Sequence, residues 1–175
     1  MEAKTFKIDK THSTIGFNVK YMMFSKVRGQ FDKYEASVEM PDENFENAKL
    51  SLVADAHSIN THNEERDKHL RSGDFFNAEE NNEIKFDSKE ITNKSNGKYE
   101  VAGDLTINGI TKPVVLKAKY SGVMKDPPWG NDRISLVIEG NIDRYDWDMK
   151  YNSALETGGV LVGKGVNFEV ETQFI

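Results

Sequence analysis

The chain has 175 residues, a formal net charge of -6 and no cysteine; disulfide and thiol chemistry are excluded, and a general nucleic-acid binder is disfavoured. A mean hydropathy of -0.64, with no run of about 18 apolar residues, argues against spanning helices. The length suits one domain, residues 1–175, with a sizeable core. MEAKTFKIDK lacks the apolar stretch of a signal peptide, so a cytoplasmic location is expected, or a periplasmic or secreted one if Met1 is only an expression start.

Ile15, Phe17, Val19 and Tyr21 alternate with Gly16, Asn18 and Lys20, the pattern of a half-buried strand. Met22, Met23 and Phe24, followed by Ser25-Lys26 and Gly29, predict a bend and then a strand start. Tyr34, Ala36, Val38 and Met40 alternate up to the Pro41-Asp42 turn signal, and Leu50, Leu52, Ala54 and Ala56 alternate beyond it. Residues 60–72 break the period. Thr61 and Glu64 have the form of a capping box, acids crowd the first turn, and Gly73 suits a C-cap. One short helix is therefore inserted between strands as a lid or flank, with Phe75-Phe76 as its anchor to the core. Ile84 and Phe86 begin another strand, and Asn96-Gly97 marks a tight turn.

Tyr99 to Tyr120 forms the clearest unit. Asn108-Gly109 suits a type I′ turn, in which both central residues have φ > 0. A two-residue loop pairs Ile107 with Ile110, and so Val101 with Leu116, Glu100 with Lys117 and Asp104 with Pro113. Pro113 then deprives a neighbouring strand of a bond, which predicts an edge or bend there. Residues 121–132 form a turn-rich loop, in which Trp129 is a loop anchor or a mouth residue. Ile134, Leu136, Ile138 and Ile142 alternate, RYDWDMKYN leaves the strand, and Val166, Phe168, Val170, Thr172 and Phe174 alternate to the end. The sum is all-β: an antiparallel eight-stranded barrel with one short helix. Closure removes the exposed edges of an open sheet, and eight strands enclose room for packed side chains or one small ligand.

Chemistry-bearing clusters are few. His62, Arg66 and His69 would share a helix face. Seven residues separate the imidazoles by roughly 10 Å, however, and an arginine between them repels a cation, so no metal site is expected. Asp143, Arg144, Asp146 and Asp148 read as a solvated loop with an internal ion pair, since no G-x-S-x-G or Gly-rich phosphate loop accompanies them. The apolar strand faces either fill a core or wall a cavity, and alternation alone does not choose.

Four ordered blocks carry a resemblance. They are IDKTHSTIGFNVKYM with VRGQF, HSINTHNEERDKHLRSGDFFNAEENNEIKFDS, GDLTINGITKPVVL, and GNIDRYDWDM with VGKGVNFEVE. Together they resemble the YceI-like family over nearly the whole chain. The resemblance implies a lipocalin-like barrel that sequesters a polyisoprenoid or related amphiphile (an isoprenoid quinone, fatty acid or amide) for transport or storage. It implies no catalysis and no cofactor, and often a homodimer. Under it, Ile15, Phe17, Val19, Tyr21 and Met23 line the cavity from the first strand and its bend. Val38, Leu52, Phe86 and Leu105 do so from the middle strands, and Leu116, Ile138, Phe168 and Val170 from the last ones. His12 and Arg66 are candidate head-group contacts, with structural hydrogen bonds as the alternative. Tyr21 stands where the family usually has His, and Trp147-Asp148 replaces a usual glycine. The competing readings are a packed barrel that binds a protein partner, and a lipid head-group hydrolase using the Asp143–Asp148 cluster.

Overall fold

The computed structural model describes residues 2–126 and 130–175, so Trp129 lies outside the described residues. The first three staves of the barrel are each broken in two. The strands are β1 (Lys4–Lys7) and β2 (Thr14–Tyr21), β3 (Ser25–Phe31) and β4 (Tyr34–Met40), then β5 (Lys49–Asp55) and β6 (Ile59–Asn60). Helix α1 (Glu64–Arg71) follows, then β7 (Glu83–Asn93), β8 (Lys98–Ile107), β9 (Ile110–Tyr120), the short β10 (Met124–Asp126), β11 (Asn131–Asp143) and β12 (Val162–Phe174). The eight expected strands thus become twelve segments, because three are broken and β10 is added. Two of the breaks, in the first and third staves, have a local cause. Asp9 and Asp55 each turn a carboxylate onto a nearby backbone N–H, of Thr11 and His57, and so start a one-turn 3-10 segment.

All strand pairings are antiparallel, and the ring closes between the first and last strands. Lys7 and Ile175 exchange backbone bonds of 2.8 Å, and the Asp9 N–H donates to Gln173 O at 2.8 Å. The β8–β9 hairpin has the expected register, Ile107 opposite Ile110 and Asp104 opposite Pro113. Asn108 (φ 53) and Gly109 (φ 72) are both left-handed, as a type I′ turn requires. Strand β9 pairs with β11 only over Lys117–Tyr120, so Pro113 sits where β9 has no second neighbour.

Helix α1 departs from its expected caps. Asn63, not Thr61, is the N-cap and accepts from the Arg66 N–H at 3.0 Å; Ser72, not Gly73, is the C-cap. Thr61 is engaged elsewhere: its N–H and hydroxyl both donate to the buried Asp67 carboxylate. His62 consequently lies before the helix at φ 61 and shares no helix face with Arg66 and His69.

The two ends of the barrel differ. The end carrying the 41–48 loop is solid: Phe6, Val38, Met40, Phe45 and Val101 are all buried. Phe45 stacks on Tyr120 (centroids 4.3 Å apart, planes at 11°) and meets Tyr99 edge-on at 4.9 Å. The other end carries the β2–β3 bend, α1 with residues 72–82, the Asn108-Gly109 turn and residues 144–161.

Candidate functional site

Beneath that second end lies a cavity of about 480 Å³. A narrower lobe of about 110 Å³ continues toward the middle of the barrel. Phe31, Ile84 and Phe168 line both lobes and form the neck between them.

The strands supply the walls through their pleat. Phe17, Val19 and Tyr21 of β2 line the outer lobe, and Ile15 the inner one. Gly29 pairs directly with Phe17, and a Cβ placed on it would stand 2.4 Å from the Phe17 ring. Only a residue without a side chain lets that ring lie across the neighbouring strand. Phe17 and Phe31 then meet at 5.6 Å, and Phe31 and Phe76 at 5.8 Å. Leu52, Phe86, Leu105, Leu116, Ile138 and Val170 gather around the inner lobe, with Phe168 at the neck.

Three candidates lie elsewhere. Val38 faces inward but belongs to the solid end, pairing with Phe6 and Leu50. Met23 follows the end of β2 in a left-handed turn (φ 67), is 54% exposed, and lies against Gly159. His12 sits on the surface at the first strand break, where its Nδ1 is 2.8 Å from Asp9.

A cover of two segments closes the outer lobe. Leu70, Phe75 and Phe76 come from α1 and the residues after it. His69 meets Phe75 edge-on at 5.2 Å and Tyr151 at 4.7 Å, which joins this segment to residues 144–151. Arg66 lines the cavity while donating Nε–H to Thr61 Oγ1 (2.8 Å) and a terminal N–H to Thr61 O (2.6 Å).

Residues 144–151 are not the solvated loop expected from their charge. Arg144 is 2% exposed and lines the cavity. Its guanidinium donates to the carbonyls of Gly163 (2.8 Å), Met149 (2.6 Å) and Val162 (3.2 Å) and lies 5.7 Å from the Phe75 ring centroid. No carboxylate pairs with it among the described residues, and burial pulls its pKa below the usual arginine value. The cause of this inward fold is Trp147, whose indole N–H donates to Leu105 O at 3.1 Å. Asp143 accepts from the Tyr145 N–H, Asp148 pairs with Lys150 at 3.5 Å, and Asp146 is exposed. Arg144, Met149 and Tyr151 were not anticipated as lining. The spacing of Trp147, Met149 and Tyr151 is a short period-2 signal for one buried face. Among the described residues no group of three or more His, Cys, Asp or Glu side chains could hold a metal ion. No helix among them is long and apolar enough to cross a membrane.

A closed antiparallel barrel with a largely apolar interior cavity is an architecture that can enclose one small apolar molecule. The chain belongs to the YceI-like family, whose YceI-like domain matches residues 6–174. A UPF0312 protein of Staphylococcus aureus is 40% identical over 169 residues, covering 97% of this chain and 96% of that protein. A Campylobacter jejuni YceI protein is 30% identical with a TM-score of 0.75, covering 88% of this chain and 87% of that one. Two more distant structures share the fold. BcnA of Burkholderia cenocepacia has 19% identity, a TM-score of 0.82 and coverage of 95% and 98%. A polyisoprenoid binding domain from Saccharophagus degradans has 14% identity, a TM-score of 0.68 and coverage of 97% of each chain.

Proposed function

We propose that this chain binds and sequesters a polyisoprenoid or related long-chain lipid, without altering it, for transport or storage. The observation that carries the reading is the pair of adjoining lobes with aliphatic and aromatic walls. The outer lobe falls within the roughly 300–1,000 Å³ of small-molecule sites. Each Å² of lipid tail removed from water contributes about 25 cal/mol. The charged and imidazole side chains are confined to the outer lobe, where Arg66, His69 and Arg144 line the wall. The tail therefore runs inward past Phe168, and the head group stays under the cover. Family membership and the binding described for the Saccharophagus degradans domain point the same way.

Mass spectrometry of protein purified from its own host, before and after organic extraction, tests this. A long-chain isoprenoid, quinone or fatty-acyl lipid in stoichiometric amount is the expected result. A clean unliganded mass that persists after incubation with polyprenyl lipids would overturn it and favour a barrel that binds a protein partner.

A further inference from the structure

Nine large apolar side chains stay exposed among the described residues, and five belong to two touching turns: Tyr21, Met22, Met23, Phe24 and Val160. Phe24 is 92% exposed at the tip of the β2–β3 hairpin. Met22 (φ 52) and Met23 (φ 67) are consecutive left-handed residues with side chains, an arrangement that ordinarily selects Asn and Gly. The turn is nevertheless held. The Met22 N–H donates to Leu161 O at 2.8 Å, and Ser25 Oγ to Tyr21 O at 3.1 Å. Met23 packs against Gly159, which brings Val160 beside the tip.

Charge singles out the same hairpin. Residues 16–31 contain no Asp or Glu, in a chain of net charge -6. Lys20 pairs across the strands with Lys26, and exposed Arg28 follows two residues on. Residues 151–161, whose Gly159 lies against Met23, contain one acid, Glu156. An apolar tip with a basic collar is suited to an interface of acyl chains beneath anionic head groups. Methionine adapts to such irregular apolar surroundings. The tip also borders the cavity, since Tyr21, Leu161 and Val162 line the outer lobe.

We propose that the 21–25 hairpin tip, with the 159–160 turn beside it, docks on an anionic phospholipid bilayer and sets the Tyr21–Leu161 side of the outer lobe against it. Docking stands on the surface alone; lipid passage between bilayer and cavity rests on the binding function proposed above.

The test is co-sedimentation of the full chain with vesicles of phosphatidylcholine, with or without phosphatidylglycerol. The intact protein is expected to bind the anionic vesicles, and Phe24→Asp to bind them at least about tenfold more weakly. The double variant Lys26→Glu with Arg28→Glu loses roughly fivefold or more per charge on anionic vesicles only. In Phe24→Trp, brominated acyl chains quench the new indole. Each variant still takes up a polyprenol delivered in detergent, which shows an intact barrel. Docking is overturned if the intact protein ignores anionic vesicles, if Phe24→Asp binds them as well as the intact protein does, or if Phe24→Asp instead splits a dimer in size-exclusion chromatography without changing vesicle binding. Vesicle binding without polyprenol uptake by the intact protein would keep docking and reject the cavity function.

Discussion

The two ends of this barrel are built from the same strands with the same alternation, yet one is solid and the other hollow. At the solid end, the 41–48 connection turns Phe45 into the bore, where it meets Tyr99 and Tyr120. A 3-10 turn capped by the Asn44 side chain aims it there. At the hollow end, Phe75 and Phe76 come from the connection after α1 and line the outer lobe without filling it. The cover is made of α1 with residues 72–82 and residues 144–161, which lean on each other through His69, Phe75 and Tyr151. Strand pattern fixes which face is apolar. The loops decide whether that face packs or encloses space.

This contrast predicts separable effects. Phe45→Ala should cost about 3–5 kcal/mol, because the stacked ring leaves a void among residues that cannot collapse onto it. Denaturant titration measures the loss, and lipid uptake by the remaining folded protein should be unchanged. Arg144→Met should cost about 2–4 kcal/mol by leaving the Met149 and Gly163 carbonyls without a donor. The Val162 carbonyl keeps its bond from Asn152 Nδ2 at 2.7 Å. Equal stability of Arg144→Met and the parent would show that water replaces the guanidinium and that the cover is not held by it.

The next effect belongs to the seam of the barrel. Arg133 donates to Asp9 at 2.8 Å, Asp126 at 2.8 Å and Gln173 at 3.0 Å, tying the first strand break to β10 and the end of β12. The Arg133 guanidinium, then the bonds from Thr11 and His12, hold the Asp9 carboxyl well below the usual carboxylate range. A carboxyl whose pKa is depressed by folding contributes stability above its unfolded value, near 4, and loses it as pH falls from there toward the folded value. Asp9→Asn should therefore be about 1–3 kcal/mol less stable at neutral pH. The gap to the parent should narrow on acidification below about pH 4. Parallel acid-unfolding curves would remove Asp9 from the account. At the hollow end, Val19→Trp should fill the outer lobe and weaken lipid uptake by more than about tenfold, for less than about 2 kcal/mol of stability. Uptake equal to the parent's would place the ligand elsewhere.

The same contrast explains what could be read from the chain. The Asn108-Gly109 turn dictates a register in which every pair follows from one two-residue loop, and that register was legible in full. The β2 alternation named Ile15, Phe17, Val19 and Tyr21 as one face, and these residues line the cavity. Val38 obeys the same rule yet sits in the solid end, because a period of two specifies a face and says nothing of height along the bore. Met23 fell outside because β2 ends at Tyr21 and the chain turns left-handed. Thr61 and Asn63 both suit an N-cap, and the choice turned on Asp67, which takes Thr61 for itself. Arg144 misled because a charged run reads as solvated; burial of Trp147 at Leu105 is a long-range contact whose local trace is only the short period-2 spacing of Trp147, Met149 and Tyr151.

The smallest predicted effect concerns Asp148, in the Trp147-Asp148 pair that the resemblance sets in place of a glycine. Asp148 ends the Arg144–Trp147 turn at φ 60 and ψ 23, and its N–H donates back to the turn's carbonyls. That conformation favours glycine, although aspartate tolerates it better than most residues. Asp148→Gly relieves the local strain but gives the unfolded chain more freedom to lose. It also deletes an exposed pair with Lys150, which contributes roughly 0–1 kcal/mol. These effects oppose one another, and the net change should stay within about 0.5 kcal/mol. A gain well beyond that would mean that the cover stores strain at Asp148 and that the 144–151 fold is imposed from outside, by Trp147 and Arg144. A clear loss would give the Asp148 carboxylate a structural partner beyond Lys150.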